Sequence, residues 1–71
     1  MPNYEYIKKA PLRRLMRDNG ASIVASAAVE TLAKWLQESA ALITKTSLKL
    51  TKHSKRKKIT REDILLALKY F

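Results

Sequence analysis

The central stretch of the sequence, Ser26 to His53, reads SAAVETLAKWLQESAALITKTSLKLTKH. Neither Pro nor Gly interrupts it, and residues that favour helices dominate it. Apolar residues recur at steps of three and four, which predicts one long amphipathic helix. The main row, apolar except for Ser47, is Val29, Leu32, Leu36, Ala40, Ile43, Ser47 and Leu50, and a neighbouring apolar row is Ala28, Trp35, Leu42 and Leu48.

A helix of this length predicts a partner. At 1.5 Å per residue it spans about 42 Å, which is long for a chain of 71 residues. A single small subunit has too little apolar material to cover such a rod. We therefore expect two copies to cross at their central helices. Their dimer core would contain Leu32, Trp35, Leu36 and Ile43, with Trp35 packed in the interface and not stacked on a base.

Shorter helices are predicted on both sides. Pro11 suits the first position of a helix over about residues 11–19, and Gly20 suits the left-handed position after it. Ser26 is the expected N-cap of the long helix. Thr60 and Asp63 resemble a capping box, which predicts a last helix of about eleven residues. The fold class is therefore all-α, with a short helix, a long helix and a short helix.

Composition limits the possible partners. Fifteen Lys and Arg residues against six Asp and Glu leave a net charge of +9, which favours polyanions such as DNA, RNA or an acidic membrane surface. An apolar fraction of 46% separates the chain from disordered basic tails. Because it has no Cys, oligomerisation is the remaining way to reinforce so small a core. No apolar run reaches the length of a membrane span and no signal-peptide pattern is present, so we expect a soluble cytoplasmic protein.

Eleven of the fifteen basic residues lie in two basic windows, residues 8–17 and 52–61. In an antiparallel dimer, the second loop of one chain would meet the first loop of the other, and the two first helices would meet near the centre. Both windows would then join into an arc that can follow a phosphate backbone. The simpler interpretation, a solvated charged face, is weaker because the distribution is so uneven.

Sequence-specific recognition of DNA is not expected. Neither basic window contains Asn or Gln, whose amides recognise adenine by paired hydrogen bonds. Arg13, Arg14 or Arg17 could enter a minor groove, which depends on groove width more than on sequence. We expect contacts to the DNA backbone, combined with deformation of the duplex.

Several short motifs stand at suggestive spacings along the chain. They are Ala10-Pro11 with Arg14, Asp18 with Gly20-Ala21, Thr31-Leu32-Ala33-Lys34, His53, Arg56-Lys57, Ile59, Glu62-Asp63-Ile64, Ala67 and Phe71. Together they resemble the archaeal histone family over about residues 10–71, which leaves residues 1–9 as an N-terminal arm. The resemblance implies a histone-fold handshake homodimer in the nucleoid that wraps and compacts duplex DNA.

The resemblance also implies DNA contacts at the paired first helices and at two junctions of first and second loops. Arg14 matches a first-helix arginine that faces DNA. First-loop contacts fall on Val24, Ala25 and Ser26, largely through backbone N–H groups. Second-loop contacts fall on Lys57, Lys58, Ile59, Thr60 and Arg61.

Further roles follow from the same resemblance. Arg56 and Asp63 match an ion pair that braces the second loop. Leu50, His53 and Asp63 match positions where dimers join through a four-helix bundle, in which His53 reaches Asp63 of the neighbouring dimer. Gly20 matches a small residue that lets dimers stack along a filament.

Four positions depart from the family pattern. Ile23 stands where a basic residue usually enters the minor groove, and Lys58 stands where a Thr usually accompanies it. Lys55 replaces a frequent Gly, and Arg13 occupies a usually uncharged place. Positive charge has been moved along the chain more than it has been lost.

No pattern in the sequence favours an enzyme. There is no nucleophile–base pair, phosphate-binding loop or convergent set of carboxylates, and we expect no cofactor. As the only His, His53 cannot build a metal cluster within one chain. Tyr4 and Tyr6 of the arm could stack on bases, pack on the body or be disordered.

Two other classes of function are compatible with the sequence. One is a histone-fold component of a transcription-related complex that acts mainly by pairing with other histone-fold chains. The other is an RNA-binding or ribosome-associated helical protein.

Overall fold

The computed structural model describes residues 5–71, which form three α-helices and no strand. The helices are α1, Lys9–Asp18, α2, Ser26–His53, and α3, Arg61–Leu68. The predicted all-α order of short, long and short helices is confirmed. None of the three helices in this part of the chain is both long and apolar enough to span a membrane. Tyr4, with the start of the predicted arm, lies outside the described residues.

The helix starts differ in detail from the predictions. α1 begins two residues before Pro11, after Lys8 in an extended conformation. Pro11 still fits as the third helical residue, because N–H groups in the first turn of a helix have no intrahelical acceptor. The prediction that Ser26 is the N-cap of α2 is wrong by one residue. The carbonyl of Ala25 accepts the first helical hydrogen bonds, and the hydroxyl of Ser26 accepts one from Arg13 Nη2 at 3.3 Å.

Thr60 caps α3 as predicted, with its side chain accepting from the N–H of Asp63. The helix is shorter than predicted and ends at Leu68 after eight residues. Beyond it, the N–H groups of the last three residues each bond to the carbonyl three positions earlier. Such bonds belong to a tighter 3₁₀-type turn, which replaces the last α-helical turn.

Helices α1 and α2 end in the same kind of cap, a Schellman motif. In the first cap the left-handed residue is Gly20, with φ of 109°, which confirms its predicted role. In the second cap the left-handed residue is Lys55, with φ of 59°. The defining hydrogen bonds are Gly20 N–H to Arg17 O, Ala21 N–H to Met16 O, Lys55 N–H to Lys52 O and Arg56 N–H to Thr51 O, all 3.0–3.1 Å long.

The chain divides into two units, one ending at Glu38 and one from Ser39 to Phe71. The first unit has an apolar core in which Val29 is completely buried. Leu15 of α1 is 56% exposed. The core residues are Leu12, Val29 and Ala33, with Ile7, Met16, Val24, Leu32 and Leu36 packed against them.

The second unit buries mainly polar groups. Its buried residues are Ser47, Thr51, Asp63 and Ala67, of which only Ala67 is apolar. Large apolar side chains of this unit are exposed instead: Leu42, Leu48, Leu65, Leu66, Leu68, Tyr70 and Phe71. Burial of apolar surface is the main stabilising contribution to a fold. The second unit therefore has little stabilisation from an apolar core of its own.

Candidate nucleic-acid interface

Two basic residues of the first window stabilise the fold. Lys9 Nζ lies 2.9 Å from Glu30 Oε1 and 3.8 Å from Glu5 Oε1. The hydrogen bond to Glu30, with the charge of that carboxylate, raises the pKa of Lys9 above its ordinary value. Arg13 Nη2 donates to Ser26 Oγ. Both contacts tie α1 to the first turns of α2, so Arg13 is half-buried and partly engaged within its own chain.

The other three basic residues of this window are available. Lys8, Arg14 and Arg17 are exposed, and their side chains have no hydrogen-bond or ion-pair partner among residues 5–71. Arg14 and Arg17 are three positions apart on α1 and therefore lie near one another on its surface. These cations lie on α1 or directly before it, where an external anion can reach them.

The first loop supplies backbone donors. Within the described chain, the N–H groups of Val24, Ala25 and Ser26 donate to no acceptor. They stand at the start of α2, where unpaired N–H groups and the helix dipole favour anions. Ile23, beside them, is 92% exposed. The N–H groups at this end of α2 can therefore donate to a phosphate oxygen, and the exposed apolar side chain of Ile23 lies next to them.

The second loop is held by one carboxylate. Asp63, only 5% exposed, accepts from Arg56 through both oxygens, at 2.8 Å to Nη2 and 3.2 Å to Nη1. Its Oδ2 also lies 2.9 Å from the N–H of Thr60 and 3.1 Å from Thr51 Oγ1. The hydrogen bond from Arg56, followed by that from the Thr60 backbone, holds the pKa of Asp63 well below its usual range. The ion pair expected from the resemblance is thus present.

This network was only partly foreseen. Sequence reasoning missed Thr51, which is 1% exposed. The sequence pattern that could have identified Thr51 is a second polar residue on the buried side of α2, four positions after Ser47. The N–H and hydroxyl of Thr60 both contact Asp63, so Thr60 acts first as a helix cap. Its DNA contact, like that of the half-buried Ile59, stays a prediction.

The rest of the second window is unpaired. Arg56 is engaged with Asp63, but the other basic side chains have no partner among residues 5–71. These exposed residues are Lys52, Lys55, Lys57, Lys58 and Arg61. With the three from the first window, eight of the eleven window cations are available to an external anion. Residues 5–71 hold no group of three His, Cys, Asp or Glu that could bind a metal.

A further hydrogen-bonded group anchors the segment before α1. Gln37 Oε1 accepts from the N–H groups of Tyr6 and Ile7 at 2.8 and 2.7 Å. This anchoring role of Gln37 was not predicted from the sequence, where a single amide on α2 is the only feature that points to it. The side chain of Tyr6 remains 76% exposed.

Residues 6–68 match the family model described as histone-like transcription factor (CBF/NF-Y) and archaeal histone. The chain belongs to this histone-fold family. It is similar to the A chain of archaeal histone HAN1 from Thermococcus zilligii, with 38% identity over 60 residues that cover 84% of this chain and 90% of that protein. It is also similar to probable archaeal histone 3 of Methanocaldococcus jannaschii, with 40% identity over 60 residues and the same coverage. These relationships place it among the DNA-binding chromatin proteins.

In this histone-fold chain, the residues predicted to form the dimer core are incompletely buried. Leu32, Leu36 and Ile43 are half-buried, and Trp35 is 56% exposed. Of the residues assigned to contacts between dimers, Leu50 is half-buried and His53 is exposed. Asp63 already accepts hydrogen bonds through both oxygens inside its own chain, whereas Gly20 is exposed with nothing within 4 Å of the position of an added Cβ.

Proposed function

We propose that two copies of this chain form an antiparallel handshake dimer that binds duplex DNA with little sequence specificity and wraps it. The observation that carries the proposal is the set of eight cations in the two basic windows that have no partner among residues 5–71. Lys and Arg side chains without internal partners can neutralise phosphates and release their counterions. Arg14 and Arg17 on α1 and Lys57, Lys58 and Arg61 after α2 are the proposed contacts.

Dimerisation is supported by what a single chain leaves exposed. Trp35 and Leu42, seven positions apart on α2 and so on one face of the helix, are 56% and 55% exposed. The second unit buries only Ala67 among its apolar residues. Covering these side chains with a second chain would supply the missing apolar burial. Crossing of the α2 helices would place the first loop of one chain beside the second loop of the other.

The low sequence specificity is supported by the fate of the amide side chains. Asn19 and Gln37 are the only amides among residues 5–71. Asn19 Nδ2 donates to Leu15 O, and Gln37 Oε1 accepts from two backbone N–H groups. Neither is positioned for the bidentate contact that identifies adenine. Binding would therefore depend on phosphates and on the deformability of the duplex.

Higher assembly and location are part of the same proposal. Dimers would join through a four-helix bundle that uses Leu50 and His53, and Gly20 would let them stack along DNA. In that bundle, Asp63 would add a contact with the neighbouring dimer's His53 to its internal ion pair with Arg56. The protein would be associated with the chromosome in the nucleoid.

The proposal is tested by measuring duplex affinity by fluorescence anisotropy between about 50 and 200 mM salt. Binding should be tight, should change little between unrelated sequences and should fall steeply with salt. Duplex RNA as a competitor distinguishes DNA binding from general RNA binding, and the mass of the complex gives its stoichiometry. Affinity that is independent of salt would remove the electrostatic basis of the proposal.

A second candidate is a histone-fold protein that pairs with a different chain in a transcription-related complex. It is favoured by the family description, which covers histone-like transcription factors as well as archaeal histones. Such a protein would co-purify with an unlike histone-fold chain in equal amounts and bind DNA weakly by itself. Tight binding by the purified homodimer would exclude this candidate.

A further inference from the structure

Lys55 is the only residue other than Gly with a positive φ among residues 5–71. Its φ of 59° places it in the left-handed region, where the Cβ of an L-amino acid approaches the following carbonyl oxygen. Glycine avoids this cost, and the cap of α1 uses Gly20 at the equivalent position. The chain therefore ends one helix with the relaxed residue and the other with a strained one.

The strained conformation is imposed by neighbouring groups. The N–H groups of Lys55 and Arg56 donate to Lys52 O and Thr51 O, both at 3.0 Å. The side chains of Thr51 and Arg56 then meet at Asp63, which belongs to α3. A backbone held in this way tolerates an unfavourable residue at its turning point. The side chain of Lys55 adds no hydrogen bond to this network.

The Lys55 side chain has no polar role inside the described chain. It is exposed, and its ammonium has no hydrogen-bond or ion-pair partner among residues 5–71. A positive charge near the C-terminal end of α2 interacts favourably with the helix dipole. The basic residues Lys52 and His53 already lie in the last turn, so this interaction does not require Lys55. A side chain that strains the fold and pairs with no group in it is best explained by an external ligand.

We propose that Lys55 contacts a DNA phosphate and that the strained cap is retained for this contact. The inference rests on the proposed function and adds a residue to the interface. Among four consecutive cations, Arg56 is engaged with Asp63, whereas Lys55, Lys57 and Lys58 are exposed and have no partner in the part of the chain that the structure describes. Lys55 thus adds a third available ammonium to the second loop, one residue before the bracing arginine.

The test compares Lys55→Gly, Lys55→Arg and Lys45→Gln with the parent protein. Lys55→Gly removes both the strain and the charge, whereas Lys55→Arg keeps both. Lys45→Gln removes one exposed charge from α2, outside both basic windows. Thermal unfolding is followed by circular dichroism, and the dependence of duplex affinity on salt is measured by anisotropy.

Lys55→Gly should melt about 4–8 °C higher than the parent because it relieves the left-handed strain. The slope of log affinity against log salt should become shallower by about 0.9 for each phosphate that is no longer neutralised, two per dimer. Lys55→Arg and Lys45→Gln should retain the parental slope. A lower melting temperature for Lys55→Gly, an unchanged slope, or an equal change in Lys45→Gln would overturn the inference. If the parent itself shows no salt-dependent binding of DNA, the proposed function fails instead.

Discussion

Arg56 and Asp63 are joined by two hydrogen bonds, Nη2 to Oδ1 at 2.8 Å and Nη1 to Oδ2 at 3.2 Å. The pair connects the loop after α2 to the first turn of α3. Because the same carboxylate also accepts from the N–H of Thr60, one buried group both braces the loop and caps the helix. The loop that carries the exposed lysines is thereby tied to α3.

Acid should weaken this part of the fold. The folded-state pKa of Asp63 is depressed, chiefly by the hydrogen bond from Arg56. The stabilisation is therefore complete above the unfolded pKa of about 3.9 and is lost progressively as the pH falls below it. Melting temperatures measured by circular dichroism across this range should fall for the parent. Asp63→Asn should have a lower melting temperature than the parent at neutral pH. Its melting temperature should fall less on acidification than that of the parent.

Glu38→Gln is the matched control, because Glu38 is exposed and has no ion pair within residues 5–71. This variant should follow the parental acid profile. Parallel acid profiles of the parent and Asp63→Asn would show that another group controls the loss.

Removing two loop lysines should weaken DNA binding without unfolding the protein. Lys57→Ala with Lys58→Ala deletes two exposed ammonium groups that make no ion pair with any of residues 5–71. The affinity for duplex DNA should fall, and the salt slope should decrease by about 0.9 for each phosphate that is no longer neutralised. The far-ultraviolet spectrum should remain that of the parent. Lys34→Ala with Lys45→Ala removes the same charge from α2, and an equal loss in this control would show that the loop is not a specific contact.

Truncating the indole of Trp35 should dissociate the proposed dimer. Trp35 is 56% exposed in a single chain, so we expect burial of its ring by the second copy. Trp35→Ala should weaken the association by about 3–5 kcal/mol for each buried ring, as seen by sedimentation at decreasing concentration. Trp35 is the only Trp of the chain, so the tryptophan fluorescence of the parent should shift to longer wavelength as dimers dissociate.

Lys34→Ala serves as the control for Trp35→Ala, because Lys34 is exposed at the adjacent position of α2 and lies outside the predicted dimer core. It should leave the association unchanged. A parent that stays a folded single chain at all concentrations would refute the handshake dimer.

His53→Ala should separate dimerisation from higher assembly. His53 is exposed at the end of α2, and its ring makes no hydrogen bond or ion pair within residues 5–71. We expect normal dimers and normal stability, but smaller complexes on DNA, measured by analytical ultracentrifugation. Lys45→Ala is the control, because Lys45 is exposed on α2 and lies outside both basic windows. Assemblies of parental size on DNA would show that His53 has no part in a bundle between dimers.

Helix order and most helix ends were predictable because they depend on short-range chemistry. An uninterrupted run of helix formers produces α2, and Gly20 and Thr60 supply caps within a few residues. The error at the end of α3 is also local, whereas the error at Ser26 depends on a residue 13 positions away. At the end of α3, 3₁₀-type bonds replace the last turn, and at Ser26 the side chain of Arg13 takes the hydroxyl.

The sequence by itself determined the three helices, the two basic windows and the excess of apolar surface on α2, since composition and periodicity carry these features. Only the tertiary structure decided which cations are available. The partners of Lys9, Arg13 and Arg56 lie 7 to 21 residues away, so folding had to bring them together. It also holds the cap in which Lys55 is left-handed, because Thr51 and Arg56, whose backbones form that cap, both bond to Asp63 of α3.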